Sequence, residues 1–443
     1  MDRRIDNWMT KSLSFSGRLQ LINSVLVALY SYWASVMMLP ASILKDLEKR
    51  LRRFLWNGGN QGSARAKVAW RDVCMPKDEG GLGIRSIVDV NKALLTTHIW
   101  SLVTNRPSLW VQWIHTHKLK GKSFWEVHHS NNVSWGWRKL LSIRSSVRSF
   151  FWMSIRSGRQ TNVWSDNWCT LSPIRSFITP RAIANAGFSL DATVADVIAD
   201  DGHWLWPQAW YDLFPVLINI NPIQITPDLN DRFCWKDLEG NLQGFSSWEV
   251  WNCLRNRCQR VTWASSVWFS QCIPRHSFHL WLVVKNKLKT QDRMAVWEAG
   301  SDTNLRLMCC PLCKYDRDSR NHLFFQCVYA SEVWRLVKSF VDMEDVTDTW
   351  DSIIQWMELN ASSRTMESII CRIVVAASTY FVWQERNSRL FTQNQRSATV
   401  LAKVIIDTVR LKIMGFRFGR CPKQQKILDR WLISKKNMDI DPG

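Results

Sequence analysis

The sequence predicts an α+β protein, mostly helical, with a helical N-terminal segment, a small β-rich module in the middle and a helical C-terminal domain built round a metal. Three observations carry that expectation. Leu19, Ile22, Val25, Leu26, Leu29, Trp33 and Val36 recur at three- and four-residue steps and draw one apolar stripe along a helix. The run SFFWMSIRSGRQTNVWSDNW (149–168) alternates apolar and polar residues on both sides of Gly158-Arg159, a hairpin signal. Finally, MCCPLCKYDRDSRNHLFFQCVYASEVW (308–334) holds Cys310, Cys313, His322 and Cys327, with two, eight and four residues between successive members. Three thiolates and one imidazole are the complement of a closed tetrahedral zinc site.

Composition narrows the class. A chain of 443 residues has room for two to four domains, and 46% hydrophobic content excludes wholesale disorder. The 58 Lys and Arg exceed the 38 Asp and Glu by enough to give a net charge of +20. That excess points to polyanions, nucleic acid ahead of an anionic membrane; the competing reading is a merely basic surface. The 12 cysteines are spread thinly, and Met1 opens on charged residues where an export signal needs an apolar core. A reducing compartment is therefore expected, nucleus or cytoplasm, where zinc thiolates survive. Trp is abundant, 28 against six Tyr, and is expected mostly as core anchors (Trp152, Trp164, Trp168, Trp204, Trp206, Trp210), with some stacking surface for bases.

In chain order, residues 5–39 read as helix. No charge occurs from Leu19 to Leu44, as in a membrane span, but Gln20, Asn23, Ser24, Ser31, Ser35 and Ser42 suit a helix packed inside a domain better. Pro40 ends it. A basic helix follows from Ile43 to Trp56, with Lys45, Lys49, Arg50, Arg52 and Arg53 as a solvated face or a phosphate contact. Gly80, Gly81 and Gly83 lack the Lys-Ser/Thr of a phosphate loop and read as a turn with Leu82 and Ile84 inward. A helix over Val88–Val103 comes next.

Residues 125–168 read as short strands. There Arg138, Lys139, Arg144, Arg148, Arg156 and Arg159 interleave with Trp135, Trp137, Phe150, Phe151 and Trp152. Cations among rings suit a single strand; the alternative is a module with aromatic core and arginine surface. Residues 171–230, proline-rich and without period, read as a linker with a short helix near Val194–Ile198. A hairpin is expected at Glu239–Leu242, then a helix capped by Ser246, then one from Arg275 to Val284 behind Pro274, then one over Thr290–Ala299. His276 and His279, three apart, are expected at the surface and in packing, not as ligands.

Four protein ligands leave no position for water, so the zinc is read as a fold staple, one structural Zn2+; buried free thiols beside a surface histidine are the alternative. Cys309 competes with Cys310, and the two-residue spacing favours Cys310. Leu323, Phe324 and Phe325 are expected under the metal. Helices are expected over Ser331–Val341, Trp350–Leu359 and Met366–Arg389, the last buried against the zinc module, with Arg386 and Arg389 suiting its dipole. The tail from Arg410 to Lys436, with Arg417, Arg420, Lys423 and Lys426, is a phosphate clamp or a solvated basic face.

Several runs are distinctive. WMTKSLSFSGRLQLINSVL (8–26), FLWNG (54–58), CMPKDEGGLGIRS (74–86) with Asn91, Ala93 and Leu94, and FVWQERNSRLF (381–391) resemble plant non-LTR (LINE-type) retrotransposon reverse transcriptases. Residues 246–334, with HSFHLWLVVKNKLKTQDRMAVW and NHLFFQCVYASEVW, look like the reverse transcriptase zinc-binding domain of that family. The resemblance implies a thumb-like helical segment over 1–120 that follows a missing palm, then the β-rich module at 121–170 and the linker at 171–230. Beyond them it implies the zinc-binding domain at 231–335 and C-terminal helices with a basic tail at 336–443. The Ile198-Ala199-Asp200-Asp201 run mimics the polymerase aspartates, but Ile holds the aromatic position, no return strand is expected and the order is wrong. It reads as an acidic turn. The expectation is a zinc-stabilised C-terminal part that binds RNA or single-stranded DNA, with no catalytic residues, no small-molecule substrate and no membrane. The alternative is a retrotransposon relic with no selected function.

Overall fold

Capping residues and apolar spacing place most of the helices where the sequence starts them. The computed structural model describes residues 13–57, 66–127, 133–199, 201–293, 309–418 and 422–433. Helix α1 (Phe15–Val36) contains a wider π turn at Ile22–Leu26 and starts at Ser14, whose hydroxyl accepts the Gly17 N–H. After it come α2 (Ala41–Asn57), α3 (Ile87–Val103), α4 (Trp135–Val147), β1 (Phe151–Ser154), β2 (Arg232–Lys236) and β3 (Leu242–Gln243). Helices α5 (Ser247–Leu254), α6 (Pro274–Val284), α7 (Val328–Lys338), α8 (Trp350–Leu359), α9 (Met366–Phe391), α10 (Ala398–Ile413) and α11 (Pro422–Arg430) follow, with shorter helical segments such as Leu109–Ile114 and Gln208–Leu213 in the connections. Among the described residues the result is mostly helical with one small sheet, an α+β fold. Two compact units interleave along the chain: Met1–Ala28 with Asp46–Ser86 and Arg257–Gly443, and Leu29–Lys45 with Ile87–Asn256.

In the unit of 29–45 and 87–256, α3 packs on α4 and α5. Its Asn91, fully buried, donates to the carbonyls of Ala34 and Met37 at 2.7 and 3.0 Å and accepts the Leu39 N–H at 2.9 Å. One amide thereby satisfies three backbone groups around the end of α1, including carbonyls that a helix leaves open. The stretch expected as short strands holds a strand at Phe151–Ser154, but its larger element is a helix. Ser134 caps a helix at 135–147, whose Trp137, Leu140, Leu141 and Val147 face inward at helical spacing. The proposed hairpin at Gly158-Arg159 does not form either. Strand β1 pairs antiparallel with β2, Phe151 opposite Trp235 and Ser154 opposite Arg232, and β2 pairs with β3. The hairpin at Asp237–Asn241 forms as expected, with Gly240 at φ 92° in its turn.

Residues 171–230, expected as a linker, supply Ile174, Ile178, Ile183, Trp206, Trp210 and Leu217 to a core shared with Trp164 and Trp168. The tryptophans explain how an irregular stretch can do this. Each ring buries a large area without needing a periodic neighbour. The Ile198–Gly202 turn does return, contrary to expectation, through a bridge between Ile198 and Trp204 and a Leu205 N–H bond to Val197 O. Asp200 lies outside the described residues.

In the other unit, α6 packs on α9, and α10 packs on α7 and α9. Gly81 shows why its turn needs glycine: a Cβ there would lie 1.9 Å from the Met75 carbonyl oxygen. Leu82 and Ile84 point inward as expected, both fully buried. Among the described residues, two helices, α1 and α9, are long and apolar enough to cross a membrane. Helix α9 is mostly buried by protein and carries Arg372, Glu385 and Arg386, buried among partners. Of the helix expected at Thr290–Ala299, a short turn at Gln291–Arg293 is described and the remainder lies outside the described residues.

Candidate metal centre

The Cys-Pro-Leu-Cys segment folds as a tight knuckle. The Cys310 N–H reaches Asp316 O at 2.6 Å, and the Lys314 N–H returns to Cys310 O at 2.7 Å with Lys314 left-handed at φ 61°. His322 opens a π turn running to Gln326, and the Cys327 N–H closes it on His322 O at 2.7 Å. That turn buries Leu323, Phe324 and Phe325 together while leaving the imidazole beside the knuckle. Cys327 then caps α7.

The donor atoms of Cys310, Cys313, His322 and Cys327 lie within 4.8 Å of one another. Cys310 Sγ and Cys327 Sγ are 3.9 Å apart, and Cys313 Sγ is 3.3 Å from His322 Nε2. With zinc bonds of about 2.3 Å to sulfur and about 2.0 Å to nitrogen, the edges of a tetrahedron are roughly 3.8 and 3.5 Å, so the donors fit one zinc ion. Cys310 and Cys327 are fully buried. The hydrogen bond between their sulfurs raises the Cys310 pKa and lowers that of Cys327. His322 Nδ1 lies 3.6 Å from Asp316 Oδ2, which places a carboxylate behind the ligand. Cys310 and not Cys309 belongs to the group.

What holds the knuckle is a buried ionic frame on α9. Arg386 Nη2 and Nε donate to Asp318 Oδ2 at 2.6 and 3.2 Å, and Asp318 is fully buried in the loop between the two ligand pairs. Arg389 Nη1 donates to Leu312 O, inside the knuckle, at 2.8 Å. Glu385, also fully buried, accepts from Arg389 Nε at 2.9 Å and from Arg396 Nε at 2.8 Å. Burial would raise the Glu385 pKa, but the Arg396 N–H and the two guanidinium bonds outweigh it and hold the carboxylate below its ordinary range. Arg386 and Arg389 were expected to serve the helix dipole; they clamp the zinc loop instead. Helix periodicity gave no signal for this, because their partners lie in a loop with no period.

His276 and His279 are corrected as well. Both are buried, not superficial, and neither joins the metal group. Burial lowers their pKa values to about 4 and about 3.

The expected nucleic-acid residues divide by exposure. Arg138, Arg156, Arg159, Arg417, Lys423 and Lys426 are exposed. Arg144 is partly buried and donates to the carbonyls of Phe124 and Val127 at 3.0 and 2.8 Å. Arg148 donates to Ser165 O at 3.0 Å and lies over the Trp125 ring at 5.4 Å, so these two arginines hold the fold. Lys139 lies 5.8 Å over Trp135. Trp137 and Phe151 are core residues, whereas Trp135 is 42% exposed and keeps a ring face in reach of solvent. Arg420 lies outside the described residues.

A closed Cys3His centre, clamped by a helix and rich in buried aromatics, defines a structural zinc module. Residues 245–334 match the family described as zinc-binding in reverse transcriptase. Over 411 residues, 89% of its length, the chain is 24% identical to a candidate ribonuclease H protein of Arabidopsis thaliana. It is also similar to an uncharacterized mitochondrial protein of Arabidopsis thaliana, 27% identical over 143 residues, 32% of this chain and 93% of that one. The chain spans 63% of the length of the first relative. Together these likenesses support a plant retrotransposon-derived protein that carries a reverse transcriptase zinc-binding domain.

Proposed function

We propose that the chain is a zinc-stabilised nucleic-acid-binding part of a LINE-type reverse transcriptase, holding RNA or single-stranded DNA without polymerase activity of its own. The observation that carries this reading is a set of free cations. Arg156, Arg159, Arg417, Lys423 and Lys426 are exposed and have no carboxylate partner among the described residues, in a chain of net charge +20. Cations not used internally are what phosphate contacts require. The metal supports a scaffold role, since its four protein donors leave no open position for a reacting water. Ribonuclease H belongs to the name of one relative, and the chain spans 63% of that protein. A nuclear or cytoplasmic site, where thiolate ligands stay reduced, is part of the same proposal.

The test is affinity for a single-stranded oligonucleotide against salt. Several phosphate contacts make log K fall with log salt by roughly 0.7 to 0.9 per contact. Replacing Arg417, Lys423 and Lys426 together by Ala lowers that slope by about 2. A flat salt response refutes the proposal, and nucleotide incorporation by the purified chain refutes its second half.

A further inference from the structure

The CMPKDEGGLGIRS run supplies no ligand to the metal site, yet each residue of its turn at 77–80 reaches the stretch that leads into the zinc module. Lys77 Nζ lies 4.8 Å over the Trp268 ring. The Asp78 carbonyl accepts the Val261 N–H at 2.8 Å, and Glu79 Oε2 accepts the Cys258 N–H at 2.9 Å. The Gly80 carbonyl accepts the indole N–H of Trp281, a fully buried residue of α6, at 3.0 Å. A Cβ at Gly80 would meet the Trp263 ring at 3.3 Å, so backbone and ring are in close contact. Both segments lie in one unit, which the chain leaves at Ser86 and re-enters at Arg257. The receiving residues 256–261 form neither helix nor strand, so their N–H groups have no regular partner. Two of them are answered from the turn.

We propose that this turn is a clasp and an integral part of the zinc module, so that residues 70–84, 257–268 and α6 open and close as one unit. The family match at 245–334 then lacks a working segment that lies far upstream in the chain. A turn that served only its own neighbours would need none of these contacts. The three hydrogen bonds also fix one register, because a shift by one residue moves both carbonyls and the carboxylate off their donors together. Loop-closure entropy grows only with the logarithm of length, so a few such bonds suffice across separations of 179 and 201 residues. From the clasp the path to the metal is short. Trp281 lies on α6, α6 packs on α9, and α9 carries the Arg386 and Arg389 that hold the zinc loop. Nothing in this assignment depends on a nucleic-acid partner.

Hydrogen exchange of the zinc-loaded full chain, read by mass spectrometry, tests the clasp through effects that cross from one segment to the other. Glu79→Ala removes the acceptor of the Cys258 N–H, and Trp281→Phe removes the donor to Gly80 while keeping an aromatic ring. Glu79→Ala is expected to lower amide protection in α6, and Trp281→Phe to lower it in 70–84, each by about fivefold, as the loss of one hydrogen bond implies. Glu79→Gln retains an acceptor oxygen and is expected to restore most of the protection in α6. Strands β1 and β2 serve as the internal reference and keep the protection of the parent. Samples are compared at equal zinc content, so that metal loss is not read as opening. Protection lost only in the segment that carries the substitution overturns the proposal. Equal loss in β1 and β2 also overturns it, because the chain would then open as a whole. Should Trp281→Phe fail to fold, the contrast between Glu79→Ala and Glu79→Gln in α6 decides, and equal protection in those two variants refutes the clasp.

Discussion

The zinc knuckle and the loop at 155–161 face the same physical problem and meet it differently. Both lack regular backbone pairing, and both must hold several polar groups in fixed positions inside a folded unit. In the knuckle, the centre is a metal-binding set whose members are confined to 18 residues, from Cys310 to Cys327. In the other loop the centre is a carboxylate. Asp231 accepts the N–H groups of Arg156, Gly158 and Gln160 at 2.7, 2.9 and 3.1 Å and the Thr161 hydroxyl at 2.8 Å. That carboxylate arrives from 75 residues beyond Arg156. A metal set must be assembled from strong ligands and announces itself by residue type. A carboxylate that collects backbone N–H groups can answer almost any sequence on the other side.

The largest effect is expected where the metal holds the loop. Cys313→Ser should take zinc analysis from one equivalent to none and unfold the module, since apparent zinc-binding energies of roughly 10–16 kcal/mol are folding energy in such domains. Retained stoichiometry would remove the ligand set and the contrast with it. Next in size is Arg386→Ala, which leaves Asp318 as a buried charge without its guanidinium. A loss of about 3–5 kcal/mol is expected in denaturant unfolding of the zinc-loaded protein. A loss below 1 kcal/mol would show that zinc alone sets the loop.

The carboxylate-centred loop should respond less. Asp231→Ala removes four acceptor bonds, and a destabilisation of about 3 kcal/mol is expected, with Asp231→Asn about half as costly. Acid sharpens the comparison. Hydrogen bonds hold the pKa values of Asp231 and Glu385 below the ordinary carboxylate range against the raising effect of burial. Their stabilisation is complete above the unfolded pKa of about 4 and is lost as pH falls through the lower folded values. Denaturant midpoints measured from pH 5 downward should therefore fall, and less steeply in Asp231→Asn. An unchanged acid limb in that variant would contradict the assigned role. Smallest of all is Arg417→Ala, expected within about 0.5 kcal/mol of the parent in stability because the side chain is exposed and unpaired among the described residues.

The same contrast explains what the sequence disclosed. Cys310, Cys313, His322 and Cys327 were legible because their chemistry is rare and their spacing short. Helices α3, α5, α6, α8 and α9 were legible because periodic apolar residues and caps such as Ser246 of α5 act locally. Helix α4 lies in a stretch where basic residues interleave with aromatics, a pattern that a strand shares, while the spacing of Trp137, Leu140 and Leu141 is helical. The partner of β1 was hidden since β2 lies far along the chain, and no local pattern reports a long-range pairing. The Asp318–Arg386 pair, 68 residues apart, was hidden for the same reason. Burial of His276 and His279 depended on which faces of α6 and α9 meet, information that belongs to packing and not to either segment.

The turn at His322–Gln326 sets a rule for how this domain can vary over evolutionary time. Three consecutive apolar side chains point into the core there while the residue before them serves the metal, a division of directions that a regular helical turn cannot sustain at about 100° per residue. Side-chain swaps of similar bulk leave that arrangement standing. Gain or loss of one residue swings the imidazole away by about that angle, so length, more than identity, is what descent must preserve in this stretch.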